Sequence, residues 1–118
     1  MVSGVERTDE FVVDDQLLTD VGGTLGFSVL STPGMIAMME RCAAMLALDQ
    51  LSDGQATVGF EVCVKHVAGA GPGARCTVTA KLDRVEDDRK FFFDVEVREG
   101  DRVIGVGTHQ RRLVDAGR

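Results

Sequence analysis

An α+β fold is predicted, with one long buried helix wrapped by an antiparallel sheet. Residues 35–48, MIAMMERCAAMLAL, are apolar on nearly every face and rich in good helix formers, with Glu40 and Arg41 the only charges. Downstream the hydrophobic period switches from helical to alternating, in segments punctuated by Gly, Pro, Asp and Glu. The 118 residues show no internal repeat, low-complexity tract or linker, so one domain spanning 1–118 is expected.

The first ten residues are polar and acidic and are expected to be poorly ordered, with a short edge strand at Phe11–Val13. Gly22, Gly23 and Gly26 mark a turned stretch, and the apolar run Phe27–Leu30 leads into STPG. There Thr32 suits the N-cap, since its hydroxyl can accept from a free amide of the first turn. Pro33 suits N1, where its missing N–H costs nothing. A helix apolar on all sides, from Met35 to Leu48, should be enclosed by other elements. Val58, Phe60, Val62, Val64 and His66 fall on one face of the next strand, so His66 points with the apolar side chains. AGAGPGA, residues 68–74, is a loop by composition. Strands follow at Cys76–Leu82, Lys90–Arg98 and Arg102–Leu113, turned at Glu86–Asp88 and Gly100–Asp101, which implies three consecutive antiparallel pairings.

A net charge of -6 with dispersed basic residues lacks the electrostatic footprint of a nucleic-acid binder. Cys42, Cys63 and Cys76 are odd in number, without CxxC spacing, and follow no apolar leader, so a reducing cytoplasm is expected. Met35–Leu48 is too short, and too interrupted by charge, to cross a bilayer. A sheet-rich chain of this size commonly completes its burial by self-association.

Three polar residues stand in apolar company. Glu40 has apolar neighbours at nearly every i±3 and i±4 position. Such a carboxylate shifts its pKa, finds a donor or faces a wet cleft. The plainer alternative is a narrow solvent- or dimer-facing stripe shared with Arg41. His66 ends an apolar strand face beside the glycine-rich loop, and its titration range suits acid–base work, although most strand-end histidines are structural. No second histidine or cysteine cluster stands at ligand spacing, so no metal is expected. Thr32 is accounted for as a cap, but a cap on a buried helix also sets the amides of Gly34 and Met35 where they could cradle a developing oxyanion.

STPGMIAMMERCAAML, VGFEVCVKHVAGAGPG and VIGVGTHQRRLV together resemble the fluoroacetyl-CoA thioesterase-like family of hot-dog proteins, over most of residues 27–114. In that family a threonine opens the central helix, a glutamate follows eight residues on, and a histidine twenty-six residues later. Thr32, Glu40 and His66 have these spacings. The closing GTHxR pattern is Gly107 to Arg111 here. The resemblance implies a hot-dog fold that hydrolyses a small acyl-CoA thioester to an acid and free coenzyme A. The site would lie near the interface of a homodimer, with a tetramer left open, and would need no cofactor beyond the coenzyme A of the substrate.

Glu40 would then activate water or attack the carbonyl, His66 would hydrogen-bond or exchange protons near the thioester, and Thr32 would orient the glutamate or serve as the nucleophile. Gly34, Met35, Gly69 and Arg111 are the candidate oxyanion and substrate contacts, and the 69–73 loop with Arg75 would approach the pantetheine and phosphates. Pro33 directly after the threonine departs from the family's usual glycine, and the short, glycine-rich stretch before the helix offers few bulky side chains for a lid. Fluoroacetyl specificity is therefore not carried over. The rival readings are a non-catalytic acyl-thioester binding module, a hot-dog dehydratase or hydratase, whose Asp-x-N-x-x-H stretch is missing, and a purely structural dimerisation domain.

Overall fold

A computed structural model describes residues 3–117. The long helix α1 (Thr32–Leu48) is capped by Ser31, whose backbone is extended and whose Oγ accepts from the Gly34 N–H at 2.9 Å. The cap is thus one residue earlier than expected: Thr32 is the first helical residue and Pro33 the second, positions at which proline still removes no intrahelical bond. Glycine is required at position 34. A Cβ there would stand 2.8 Å from Ser31 Oγ and 3.2 Å from the Leu17 carbonyl oxygen.

Seven strands surround this helix: β1 (Glu6–Val12), β2 (Leu18–Thr19), β3 (Val29–Leu30), β4 (Gln55–His66), β5 (Arg75–Glu86), β6 (Lys90–Glu99) and β7 (Arg102–Asp115). Five form one antiparallel sheet in the order β1-β5-β6-β7-β4, and β2 pairs with β3. Residues 6–12 are therefore ordered, against the expectation for the first ten residues, because β1 pairs along its whole length with β5. Met1 and Val2 lie outside the described residues.

Two of the three expected pairings form, β5 with β6 and β6 with β7. The third does not: β4 crosses to the far edge and pairs with β7. Residues 67–74 make the crossing, and their backbone bonds follow its route. Val67 and Ala68 donate to the Ile104 carbonyl, Leu30 donates to Ala70, and Gly73 donates to Val13. A tight hairpin could not span that distance; a strap lying across the helix start does.

One side of α1 is buried on the sheet through Met35, Met39, Cys42, Ala43, Leu46 and Ala47, a helical spacing. Phe91, Phe93, Val95 and Val97 meet it from β6, with Leu82, Val78 and Ile104 beside them. The helix is not enclosed all round within one chain, since Ala37, Arg41 and Leu48 are exposed. The β4 face also differs from the expected alternation. The register shifts between Gly59 and Glu61, so Val58 lies opposite Arg112 while Val62, Val64 and His66 lie opposite His109, Gly107 and Gly105. Arg112 and His109 are on opposite faces, and Phe60 sides with Arg112, whose guanidinium covers its ring at 3.8 Å. The bulge thus splits the apolar set, and only its second half accompanies His66.

Candidate active site

Two clusters of polar side chains lie along α1. At its start, Thr32 Oγ1 lies 2.8 Å from His66 Nδ1, joining the first turn of the helix to the end of β4. Burial lowers the His66 pKa below its ordinary 6.5, opposed by the nearby Ala68 backbone, so the ring is neutral at pH 7. Its Nε2 is buried with no hydrogen-bond partner among the described residues. A cleft of about 330 Å³ opens beside this ring, lined by Val29, Leu30, Val67, Ala68 and Gly69. Gly69 therefore borders the His66 site. Arg75 is not among the lining residues: it opens β5 opposite Val12 and is exposed.

The second cluster surrounds Glu40, which is 40% exposed and faces Arg111, its Oε2 3.7 Å from Nη1. Arg111 is 8% exposed, and burial lowers its pKa while the Glu40 carboxylate opposes that shift. Three bonds hold its guanidinium: Nε donates to Thr57 Oγ1 at 2.7 Å, Nη2 to the Thr57 carbonyl at 2.9 Å, and Nη1 to His109 Nε2 at 3.1 Å. His109 in turn donates from Nδ1 to the Glu61 carbonyl at 2.8 Å. Gly59 makes room for the carboxylate, since a Cβ there would stand 2.6 Å from Glu40 Oε2.

Thr32 and His66 are thus brought together, while Glu40 stands eight residues further along the helix, roughly 12 Å by its rise. Within one chain Glu40 keeps company with Arg111 and not with the histidine. The expected oxyanion cradle is corrected: the Gly34 N–H is taken by Ser31 Oγ, and the Met35 N–H by the Ser31 carbonyl at 2.9 Å. Neither amide is free to meet a substrate oxygen, because the cap begins one residue earlier. Thr57, Gly59 and His109 were not singled out for a role by sequence reasoning. His109 lay inside the GTHxR pattern, and Gly59 carried only the general signal of a glycine inside a strand. Among the described residues, no three His, Cys, Asp or Glu side chains gather as a metal site, and no helix is long and apolar enough to cross a membrane.

Comparison with known proteins agrees with this architecture. A solved structure of the fluoroacetyl-CoA thioesterase FlK superposes with a TM-score of 0.90 at 29% identity, covering 99% of this chain and 90% of that one. A thioesterase superfamily member from Thermus thermophilus gives 0.87 at 27% identity, covering 98% and 85%. The curated fluoroacetyl-CoA thioesterase of Streptantibioticus cattleyicolor is 35% identical over 86 residues, 73% of this chain, and the match spans 61% of that protein's length. The family model described as FlK, fluoroacetyl-CoA-specific thioesterase, matches residues 12–117. Since that match runs from the end of β1 through the helix and the whole remaining sheet, the chain belongs to the fluoroacetyl-CoA-specific thioesterase family.

Proposed function

We propose that this protein hydrolyses a small acyl-CoA thioester to a carboxylic acid and free coenzyme A, in a site shared between two copies of the chain. The observation that carries the reading is the Thr32–His66 pair, with the buried, unpartnered Nε2 of His66 beside a shallow, open cleft. With the Thr32 hydroxyl donating to Nδ1, Nε2 carries the proton and can donate to the thioester oxygen. The lowered pKa keeps the ring neutral, so it serves as a donor without losing its proton.

Glu40 acts as the base in this account. Its carboxylate takes a proton from water as the water oxygen attacks the carbonyl carbon. The tetrahedral oxyanion rests on the His66 N–H, and its collapse expels the thiolate, which takes the proton back from Glu40. Gly59 lets the carboxylate lie directly against the β4 backbone, where a side chain would displace it. Coenzyme A enters as substrate, and no separate cofactor or metal is proposed.

Within one chain Glu40 pairs with Arg111 and His66 with Thr32, and a second copy brings the carboxylate and the imidazole into one site. β4 pairs with β7 on one side only, and it exposes Val58 (49%), Phe60 (60%) and Val62 (36%), an apolar edge that would aggregate if left open. Antiparallel pairing of two β4 edges about a two-fold axis continues the sheet. A register centred between Val62 and Cys63 sets Gly59, with Glu40 above it, opposite the partner's His66. The homodimer thus assembles two composite sites. A reducing cytoplasmic setting accords with three unpaired cysteines, two buried and one exposed.

The test is release of free thiol from a panel of short, branched and aromatic acyl-CoA esters. Turnover of at least one ester is expected. Binding of the esters without turnover would establish the non-catalytic binding module instead.

A further inference from the structure

We propose that His109 is a positioning residue: through Arg111 it fixes where the Glu40 carboxylate meets its counter-charge. The inference rests on the reading of Glu40 as the base. The Glu61 carbonyl can only accept, so His109 Nδ1 carries the hydrogen of their 2.8 Å bond. Arg111 Nη1 can only donate, so His109 Nε2 presents a lone pair to it at 3.1 Å. One tautomer satisfies both bonds, and a protonated ring satisfies neither the lone-pair requirement nor the charge of the neighbouring guanidinium.

The ring is 3% exposed and stacks on Phe93 with centroids 6.3 Å apart, so it has no freedom to turn away. The charged groups facing it are Arg111 on its own strand and Glu40 from the helix, while β4 presents only the Glu61 backbone oxygen. Thr57 holds the guanidinium along the edge formed by Nε and Nη2. That edge alone leaves the plane free to tilt. The bond at Nη1 removes the tilt and leaves the second Nη1 hydrogen for the carboxylate oxygen 3.7 Å away.

Steady-state kinetics of His109→Leu, His109→Gln and Glu40→Gln test this on the ester that the wild type turns over best. His109→Leu removes the acceptor, and kcat is expected to fall between about 10- and 100-fold, as for an active-site group misplaced by an ångström, with KM changed less than about threefold. His109→Gln offers an amide oxygen to Arg111 and is expected to recover most of that loss. Wild-type kcat in His109→Leu, alongside lost turnover in Glu40→Gln, overturns the positioning role and leaves the hydrolase reading intact. Full turnover in Glu40→Gln overturns the reading of Glu40 itself.

Imidazole 15N NMR of the wild-type protein keeps the proposal testable if His109→Leu does not fold. At neutral pH it should show His109 with the proton on Nδ1 and a hydrogen-bonded lone pair on Nε2. A proton on Nε2, or a doubly protonated ring, overturns it.

Discussion

His66 and His109 are both neutral at pH 7, for the same reason but with different consequences. Burial is the leading cause of the lowered pKa in each; for His109 the adjacent Arg111 cation adds to it, while the Glu61 carbonyl and the Glu40 carboxylate oppose it. The folded protein therefore takes up these protons at a lower pH than the unfolded chain does. Stability is full above the ordinary histidine value of 6.5 and is lost as pH falls from there through the lowered folded values. A full proton of difference would tilt the stability by about 1.4 kcal/mol per pH unit. Thermal unfolding between pH 7 and 5 should show Tm falling with pH, with a shallower fall in His109→Gln. A Tm that rises on acidification would contradict the burial argument. Asp9 does not confuse the window, because its carboxyl is held below its ordinary 3.8 by the Arg7 hydrogen bond.

At the scale of elements, the helix and three of the long strands were legible from their apolar periods, although the β5–β6 and β6–β7 pairings carry register shifts of their own at Leu82/Arg84 and Val97/Arg98. Phe91, Phe93, Val95 and Val97 alternate inward along β6 as their spacing requires. The bulge in β4 was not legible, since alternation read through Gly59, Phe60 and Glu61 assumes one side chain per half-turn of the pleat, and an inserted residue breaks that count. Strand order was hidden for a different reason: an apolar strand face says that it is covered but not by which neighbour. The site was legible in part. The family spacing named Thr32, Glu40 and His66 as a set but not the Thr32–His66 contact, and the Arg111, Thr57 and His109 bonds around Glu40 depend on strand register, which carries no local signal. Helix onset was misjudged by one residue because serine and threonine stand side by side in STPG and either can cap. Ser31→Ala is expected to cost about 1 kcal/mol in urea unfolding, and Thr32→Ala to leave the cap intact. Equal losses in the two variants would return the cap to Thr32.

At the scale of the whole molecule, the two polar clusters sit eight residues apart along α1, and in the proposed dimer a second copy joins them. The exposed Val58, Phe60 and Val62 of the unpaired β4 edge support the proposed two-fold pairing, which would place Glu40 of one copy near the other's imidazole. A site shared by two copies predicts complementation between inactive variants. Glu40→Gln and His66→Ala are each expected to abolish thiol release when assembled alone. Unfolded together in equal amounts and refolded, they should form heterodimers holding one intact composite site, with thiol release restored to about a quarter of the wild-type rate by random pairing. A mixture as inactive as either variant alone would contradict the shared site.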